Sequence, residues 1–502
     1  MATKEVASLL LLPDPCLVAV LQHCGGDLIS LFSAARAHSR LHQAALLALS
    51  SISVANARHE QVDGLVQYLS EHGRQLNSVE VMNVRERRSA GSKVLLRQLP
   101  PNLQLDRLNL TGLCLQLLPG CLAGGFSQPA QGVVRALLPQ KQLRLHDCTL
   151  LDGKQGLAAA LGLLPELQHL SITHTPALIF TGHPCSFPTA VLNGLQQLTY
   201  LELLVCLEGP AQQPVLQPLQ ALTRLAHLRI APLYSSGRLT VIESSILTGM
   251  QHLTRLEVSK GVEFEPGALA GKTRLQHLVL DRCIAGTAAG ASQVLVQLLH
   301  LQQLTHVQLA GCLTAEHEGN PPAAAFSALT ASSKLQHLDI SGCTLPAAAW
   351  QHVFPVARQL PHLRSLHIRC VRPTDGSFSG APDSSRLVSC CPGLQSLDMH
   401  FIQRSAEPLS PLQGLGALHT LRVSATQGYE ELLAVGQLTR LREVDLTAFA
   451  PGSAEVLLPQ LAQLKELTAL SFLGRLSSGD PRVLSVKHQA GSPSQSLSAP
   501  LP

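Results

Sequence analysis

Twenty-two histidines and thirteen cysteines are the residues of this chain best equipped for metal, proton or thiol chemistry. Their spacing supplies little of it. There is no His-Glu-x-x-His phrase and no Cys-x-x-Cys pair, and Cys390-Cys391 are the sole adjacent thiols, so neither a zinc site nor a disulfide framework can be read. An odd cysteine count without paired spacing points to reduced, structural thiols. His169 and His174 read as surface polar residues. The run from Glu265 to Lys272-Thr273 approaches a phosphate-binding loop, but Pro266 stands where that loop needs Gly. The next residues, Leu275-Gln276-His277-Leu278, read as a strand where a helix N-terminus is required. Arg85, Arg87, Arg88, Lys93 and Arg97 form a basic loop without interleaved aromatics, a solvated loop rather than a nucleic-acid site. No nucleophile–base set is legible. The expectation is a chain that is not an enzyme and takes no cofactor, no metal and no small-molecule substrate.

The elements that position these residues come from repetition. Leucine is close to a fifth of the 502 residues, while charged residues are 14% and aromatics 3%, against about 25% charged in ordinary domains. A net charge of +4 is too mild to imply nucleic acid or an acidic membrane surface, and no uncharged stretch is apolar enough to read as a membrane span. The phrase L-x-x-L-x-L begins at Leu105, Leu167, Leu198, Leu225, Leu253, Leu275, Leu304, Leu335, Leu363, Leu394, Leu418, Leu441 and Leu467, with weaker copies at Leu76 and Gln140. The mean step from Leu76 to Leu467 is about 28 residues. The L-x-L step has period two, so both leucines face one side of a short strand. Stacked copies then form a parallel sheet over one continuous aliphatic core, closed by a helix from each repeat. Helical spacing shows in Val62, Leu65, Val66 and Leu69, in 242–249 and in 429–436, and Leu49-Ile52-Val54 reads as a first strand. Strands should begin near each first leucine, with Leu228, Ile230, Leu278, Leu280, Leu338 and Ile340 fully buried.

Third-position residues of the repeats then face away from the core: His169, Tyr200, His227, Arg255, His277, His306 and His337. Flanking columns add Arg229, Glu257, Asp339, His367, Asp398 and Arg422. This stripe is the candidate partner-binding surface, although Leu-Gln-His-Leu recurs at 167, 275 and 335, and a copied phrase would look the same. Neighbouring parallel strands lie about 4.8 Å apart, so His277, His306 and His337 should form a ladder. Mutual repulsion should keep it neutral at pH 7, with charging below about pH 6.

The repeat resembles the leucine-rich repeat family over about residues 49–475. Cys148, Cys206, Cys283, Cys312 and Cys343 stand eight positions after the first leucine, which is similar to the cysteine-containing class often found behind F-box domains. The resemblance implies an α/β leucine-rich-repeat solenoid, curved, with the parallel sheet on the concave face and helices on the convex face. About 15 repeats would fill 51–475, followed by a disordered Ser/Pro-rich tail at 476–502. A small thiol at that turn can bond neighbouring backbone weakly.

Before the repeats, Leu12-Pro13-Asp14, Leu17, Val20-Leu21, Gly25-Gly26 and Asp27 through Phe32 set out short helices, with Pro13 suited to a first turn and Asp27 to a cap. Residues 9–50 resemble an F-box, a helical module that docks the adaptor of SCF-type ubiquitin ligases, although Ala35 to Leu41 lacks the usual Trp. The resemblance assigns adaptor binding to Leu12, Pro13, Leu17, Leu21, Leu28 and Leu31. It implies a substrate receptor whose partners are the SCF adaptor and a protein substrate. The same residues could instead cap the solenoid, leaving a scaffold of a cytoskeletal or axonemal assembly. Glu5 and Pro13-Asp14-Pro15 make a poor signal peptide, so the expected place is cytoplasm or nucleus, or in the scaffold reading the cilium.

Overall fold

A computed structural model describes residues 51–55, positions 62, 65, 67 and 69, 76–82, 95–96, 105–115, 141–150, 153–173, 187–204, 216–231, 240–259, 262–265, 267–283, 288–313, 321–373, 382–400, 409–425, 430–448, 452–475 and 481–487. The F-box-like stretch 9–50, Cys206 and the Arg85–Arg97 loop read as basic lie outside the described residues, apart from the strand pair Leu95–Leu96. The chain divides into two compact units, Met1–Arg238 and Leu239–Pro502.

Strands of the first unit are β1 (Ser51–Ala55), β2 (Ser78–Met82), β3 (Arg107–Thr111), β4 (Gln142–His146), β5 (His169–Thr173), β6 (Tyr200–Leu204) and β7 (His227–Ile230). Each pairs in parallel with the next, in chain order. The second unit has β8 (Arg255–Ser259), β9 (His277–Asp281), β10 (His306–Gln308), β11 (His337–Asp339), β12 (Ser365–His367), β13 (Ser396–Met399), β14 (Thr420–Ala425), β15 (Glu443–Ala448) and β16 (Ala469–Arg475), again parallel in order. This is the architecture of a leucine-rich-repeat solenoid.

The strands start at the third position of the phrase. The second-position carbonyl of one repeat accepts from two successive amides of the next: Gln276 O takes Thr305 N (2.8 Å) and His306 N (3.1 Å), and Thr305 O takes Gln336 N (2.8 Å) and His337 N (3.0 Å). That shared acceptor fixes the register, so residues of equal repeat position become neighbours. The fourth and sixth positions point inward. Leu228, Ile230, Leu278, Leu338 and Ile340 are all 0% exposed and Leu280 is 2% exposed, as expected. Burying such a side chain contributes about 1.5–3 kcal/mol, and with few aromatics the core is a leucine stack.

In six of the described repeats the eighth position turns the chain with a left-handed backbone. Glycine holds it at Gly112, Gly311 and Gly342, whereas Asp147, Arg282 and Cys370 adopt φ of 52°, 52° and 55° there. At the next position the thiols close the turn. Cys148, Cys283, Cys312 and Cys343 donate to the carbonyls of Leu110 (3.3 Å), Val258 (3.3 Å), Leu280 (3.0 Å) and Leu309 (3.0 Å), each in the preceding repeat. Burial pushes the Cys343 thiol up to about 12, so it stays protonated.

The other layer is built of short helices. Val62, Leu65 and Leu69 are helical and buried, as the spacing predicts. Glu430–Gln437 is a 3-10 helix rather than an α-helix, as are Thr189–Gly194, Gln217–Ala221, Ala323–Thr330 and Ser410–Gly414. A 3-10 turn rises about 2.0 Å per residue against 1.5 Å, so a few residues span the return path. True α-helices are α1 (Gly153–Gly162), α2 (Ser244–Thr248), α3 (Ala288–Leu298), α4 (Trp350–Val353), α5 (Ser384–Cys390) and α6 (Ser453–Leu461). They stack within their units: α1 on Thr189–Gly194, α3 on Ala323–Thr330, α5 on Ser410–Gly414 and α6 on Glu430–Gln437.

The expected tail needs one correction. Pro481–Lys487, β17, lies inside 476–502 and pairs antiparallel with β16. Val483-Leu484-Ser485-Val486 is β-prone, and it covers the open edge that β16 would otherwise present. Among the described residues no helix is long and apolar enough to cross a membrane.

Candidate functional site: ring ladders on the outward face of the sheet

In the first unit, register sets His169 beside Tyr200 and Tyr200 beside His227. Equal repeat position brings the rings into contact: His169 stacks on Tyr200 at 3.8 Å between centroids and 8° between planes, and Tyr200 meets His227 at 4.2 Å and 32°. Arg144 Nε donates to His169 Nε2 at 3.0 Å, which requires that nitrogen to be unprotonated. The fifth position of the same repeats forms a second row. Ser171, Glu202 and Arg229 are in register there, and the Glu202 carboxylate accepts from Ser171 Oγ (2.7 Å), Tyr200 OH (3.2 Å) and Arg229 Nη1 (2.8 Å). Burial pushes the Glu202 carboxyl up, but the Ser171 and Arg229 contacts outweigh it and leave its pKa below the usual value. Burial, then Glu202, raises the Tyr200 phenol.

The second unit carries its own ladder. Arg255, His277, His306 and His337 are in register on β8 to β11. His277 and His306 stack at 5.4 Å and 25°, and His306 and His337 at 4.1 Å and 9°. Ser365 takes the third position in the next strand and ends the run. His337 instead meets His367, a fifth-position ring, edge-on at 4.9 Å and 70°. Arg255 is exposed and ion-paired with Glu257.

The rings are held neutral, but not for the reason first expected. Burial is the leading cause for His277, His306 and His337, all lowered from the ordinary histidine value. Repulsion from neighbouring imidazoles adds to it for His306 and His337, and for His277 the second cause is Arg255. His337 is lowered to about 3, and His169, by burial and then Arg144, to about 4. Charging therefore does not begin near pH 6 at these two rings. The expectation of a switch there is corrected: burial against the neighbouring rings removes the water that would solvate an imidazolium.

The predicted partner-binding residues thus form two groups: His169, Tyr200 and His227 in one unit, and Arg255, His277, His306 and His337 in the other. The predicted adaptor-binding residues, Leu12, Pro13, Leu17, Leu21, Leu28 and Leu31, lie outside the described residues. Residue-by-residue reading of the sequence named Arg229 but missed its partners Ser171 and Glu202, and missed His400. The latter is 3% exposed, with Nδ1 3.6 Å from Asp398 and Nε2 3.8 Å from Asp445. Burial raises Asp398, and hydrogen bonds from His400 with the nearby Arg369 more than offset that. For Glu202 the usable signal was the fifth-position column, where it stands beside Arg229; His400 stands at the seventh position, near the fifth-position Asp398 and Asp445. In the near-phosphate stretch, Lys272 is 3% exposed and its Nζ donates to Thr248 O at 3.2 Å.

No family model matches the chain, and no curated protein matches it. Solved structures do. An internalin (inlF) of Listeria monocytogenes is similar at 14% identity over 85% of this chain and 87% of that one, with a TM-score of 0.39. A leucine-rich-repeat protein of Leptospira interrogans matches at 17% identity over 85% and 91%, with a TM-score of 0.43. TLR13, solved as a complex with ssRNA13, matches at 14% identity over 86% and 68%, with a TM-score of 0.38.

Proposed function

We propose that this chain is a protein-recognition module whose partner lies on the outward face of the sheet, centred on the ring ladders. The observation that carries this reading is the stacking itself: His306 on His337 at 4.1 Å, and His169 on Tyr200 at 3.8 Å. Rings locked by neighbours lose little conformational entropy when a partner arrives, and preorganisation of this kind is a direct source of affinity. Neutral imidazoles offer both a donor and an acceptor, without the larger penalty for stripping water from a charge. The finer reading, substrate receptor of an SCF-type ubiquitin ligase, rests on the F-box-like pattern in 9–50 and takes the adaptor and a protein substrate as partners.

Two experiments test the levels separately. A triple variant, His277→Ala, His306→Ala and His337→Ala, is assayed for capture of the wild-type partner set and for thermal unfolding. Lost capture at an unchanged melting temperature is the expected result, whereas full capture by the variant reduces the stripe to a copied phrase. For the finer reading, Leu17→Asp with Leu21→Asp should abolish adaptor co-purification and leave the repeats folded. A wild-type chain that captures no adaptor sinks the ligase assignment and leaves the ladder reading intact.

A further inference from the structure

Register in the second unit assembles a donor set that no stretch of sequence contains. His337 and Asp339 occupy alternate positions of β11, and His367 of β12 lies directly opposite Asp339. One ligand atom from each lies within 4.8 Å of the other two, and it is the one such group among the described residues. Each side chain is oriented by a separate neighbour. The His337 ring lies flat against His306 at 4.1 Å. Asp339 Oδ1 accepts the Ser341 amide at 2.9 Å, and Ser365 Oγ is 3.0 Å from His367 Nε2. Supporting contacts of this kind, which fix ring and carboxylate directions, are the usual companions of metal ligands.

We propose that His337, Asp339 and His367 bind a divalent transition-metal ion of the zinc class on the outward face of the sheet. Two imidazole nitrogens and one carboxylate oxygen suit such an ion. Calcium and magnesium need six or more oxygens, and copper(I) prefers sulfur. Bonds of about 2.0–2.2 Å in a tetrahedral site want donors roughly 3.4 Å apart, within reach of small side-chain rotations. The cation also answers a charge problem, because among the described residues no Lys or Arg pairs with Asp339, whose column neighbours are Gln308 and His367. Three ligands leave a fourth coordination position, open to water or to a donor from whatever lies on this face.

The test uses the full chain, stripped with chelator and titrated with cobalt(II) and then zinc(II), with no partner present, so it is independent of the recognition reading. One cobalt per chain is expected, with visible bands of nitrogen and oxygen coordination that zinc abolishes. Zinc should raise the melting temperature, because it binds the native state. Asp339→Asn and His337→Gln should each weaken binding by at least about tenfold. His252→Gln with His300→Gln, at exposed histidines elsewhere, should leave it unchanged. His367→Cys should retain cobalt and add the near-ultraviolet charge-transfer absorption of a thiolate ligand, a gain of signal that misfolding cannot imitate. Unsaturable binding by the wild type overturns the proposal. So does affinity that survives Asp339→Asn and His337→Gln, or cobalt bound to His367→Cys without thiolate absorption.

Discussion

In the first unit, the fifth-position carboxylate is committed. Glu202 accepts from Ser171, Tyr200 and Arg229, and its ladder stands beside an internally neutralised row. In the second, Asp339 holds the same place in its repeat, but its donor among the described residues is the Ser341 amide, and the rings facing it are imidazoles. Both units use the same leucine phrase, the same parallel register and the same outward columns. The difference lies in the column neighbours: Ser171 and Arg229 flank Glu202, whereas Gln308 and His367 flank Asp339. A repeat fold thus acts as a grid, and the chemistry of a patch is decided by which residues occupy adjacent cells.

The largest effect should come from beneath the ladders, where the two units ought to behave alike. Leu201→Ala and Leu338→Ala each remove a side chain that is 0% exposed, and each should cost about 2–5 kcal/mol by denaturant unfolding. A cost below about 1 kcal/mol in either would mean that its ladder is not carried by a close-packed core.

The units should part company at the carboxylates. Arg229→Met strips the half-buried Glu202 of its cation and should cost about 1 kcal/mol, screened because the Arg229 side chain is 41% exposed. Asp339→Asn should cost less than about 0.5 kcal/mol in the metal-free chain, as an ordinary substitution does. Equal costs in unfolding experiments would erase the contrast.

Acid offers a third handle, screened because the rings are only part-buried. The unfolded chain protonates histidine near 6.5, while His169 in the folded chain does so at about 4 and His337 at about 3. Below 6.5 the unfolded state binds more protons, so stability falls as pH drops, down to about 4 for His169 and about 3 for His337, and levels off below. His169→Gln and His337→Gln should each flatten part of that slope. Imidazole NMR shifts titrating at 6.5 for either ring would show it to be water-exposed.

At the turns the units should match again. Cys148→Ala and Cys343→Ala each lose the thiol bond to a carbonyl of the preceding repeat, which is worth about 0.5–1.5 kcal/mol. Similar melting shifts for the two would place the difference between the units on the outward face alone.

Much of this was written in the chain. Leu-x-x-Leu-x-Leu fixes which side chains enter the core, because strand geometry alternates faces whatever surrounds it, and the columns beginning His169-Tyr200-His227 and His277-His306-His337 follow by counting. The thiol turns at Cys148, Cys283, Cys312 and Cys343 were legible for the same reason. Three things were not. The 3-10 form of 430–437 depends on the distance between strands to be bridged, which no local propensity encodes. The strand 481–487 exists because β16 leaves an edge to cover. The low proton affinity of His337 and its meeting with Asp339 and His367 arise across strands, from residues up to thirty positions apart in sequence. Local spacing determines which face a residue occupies; only the register between repeats decides what stands next to it, and electrostatics acts on neighbours in space.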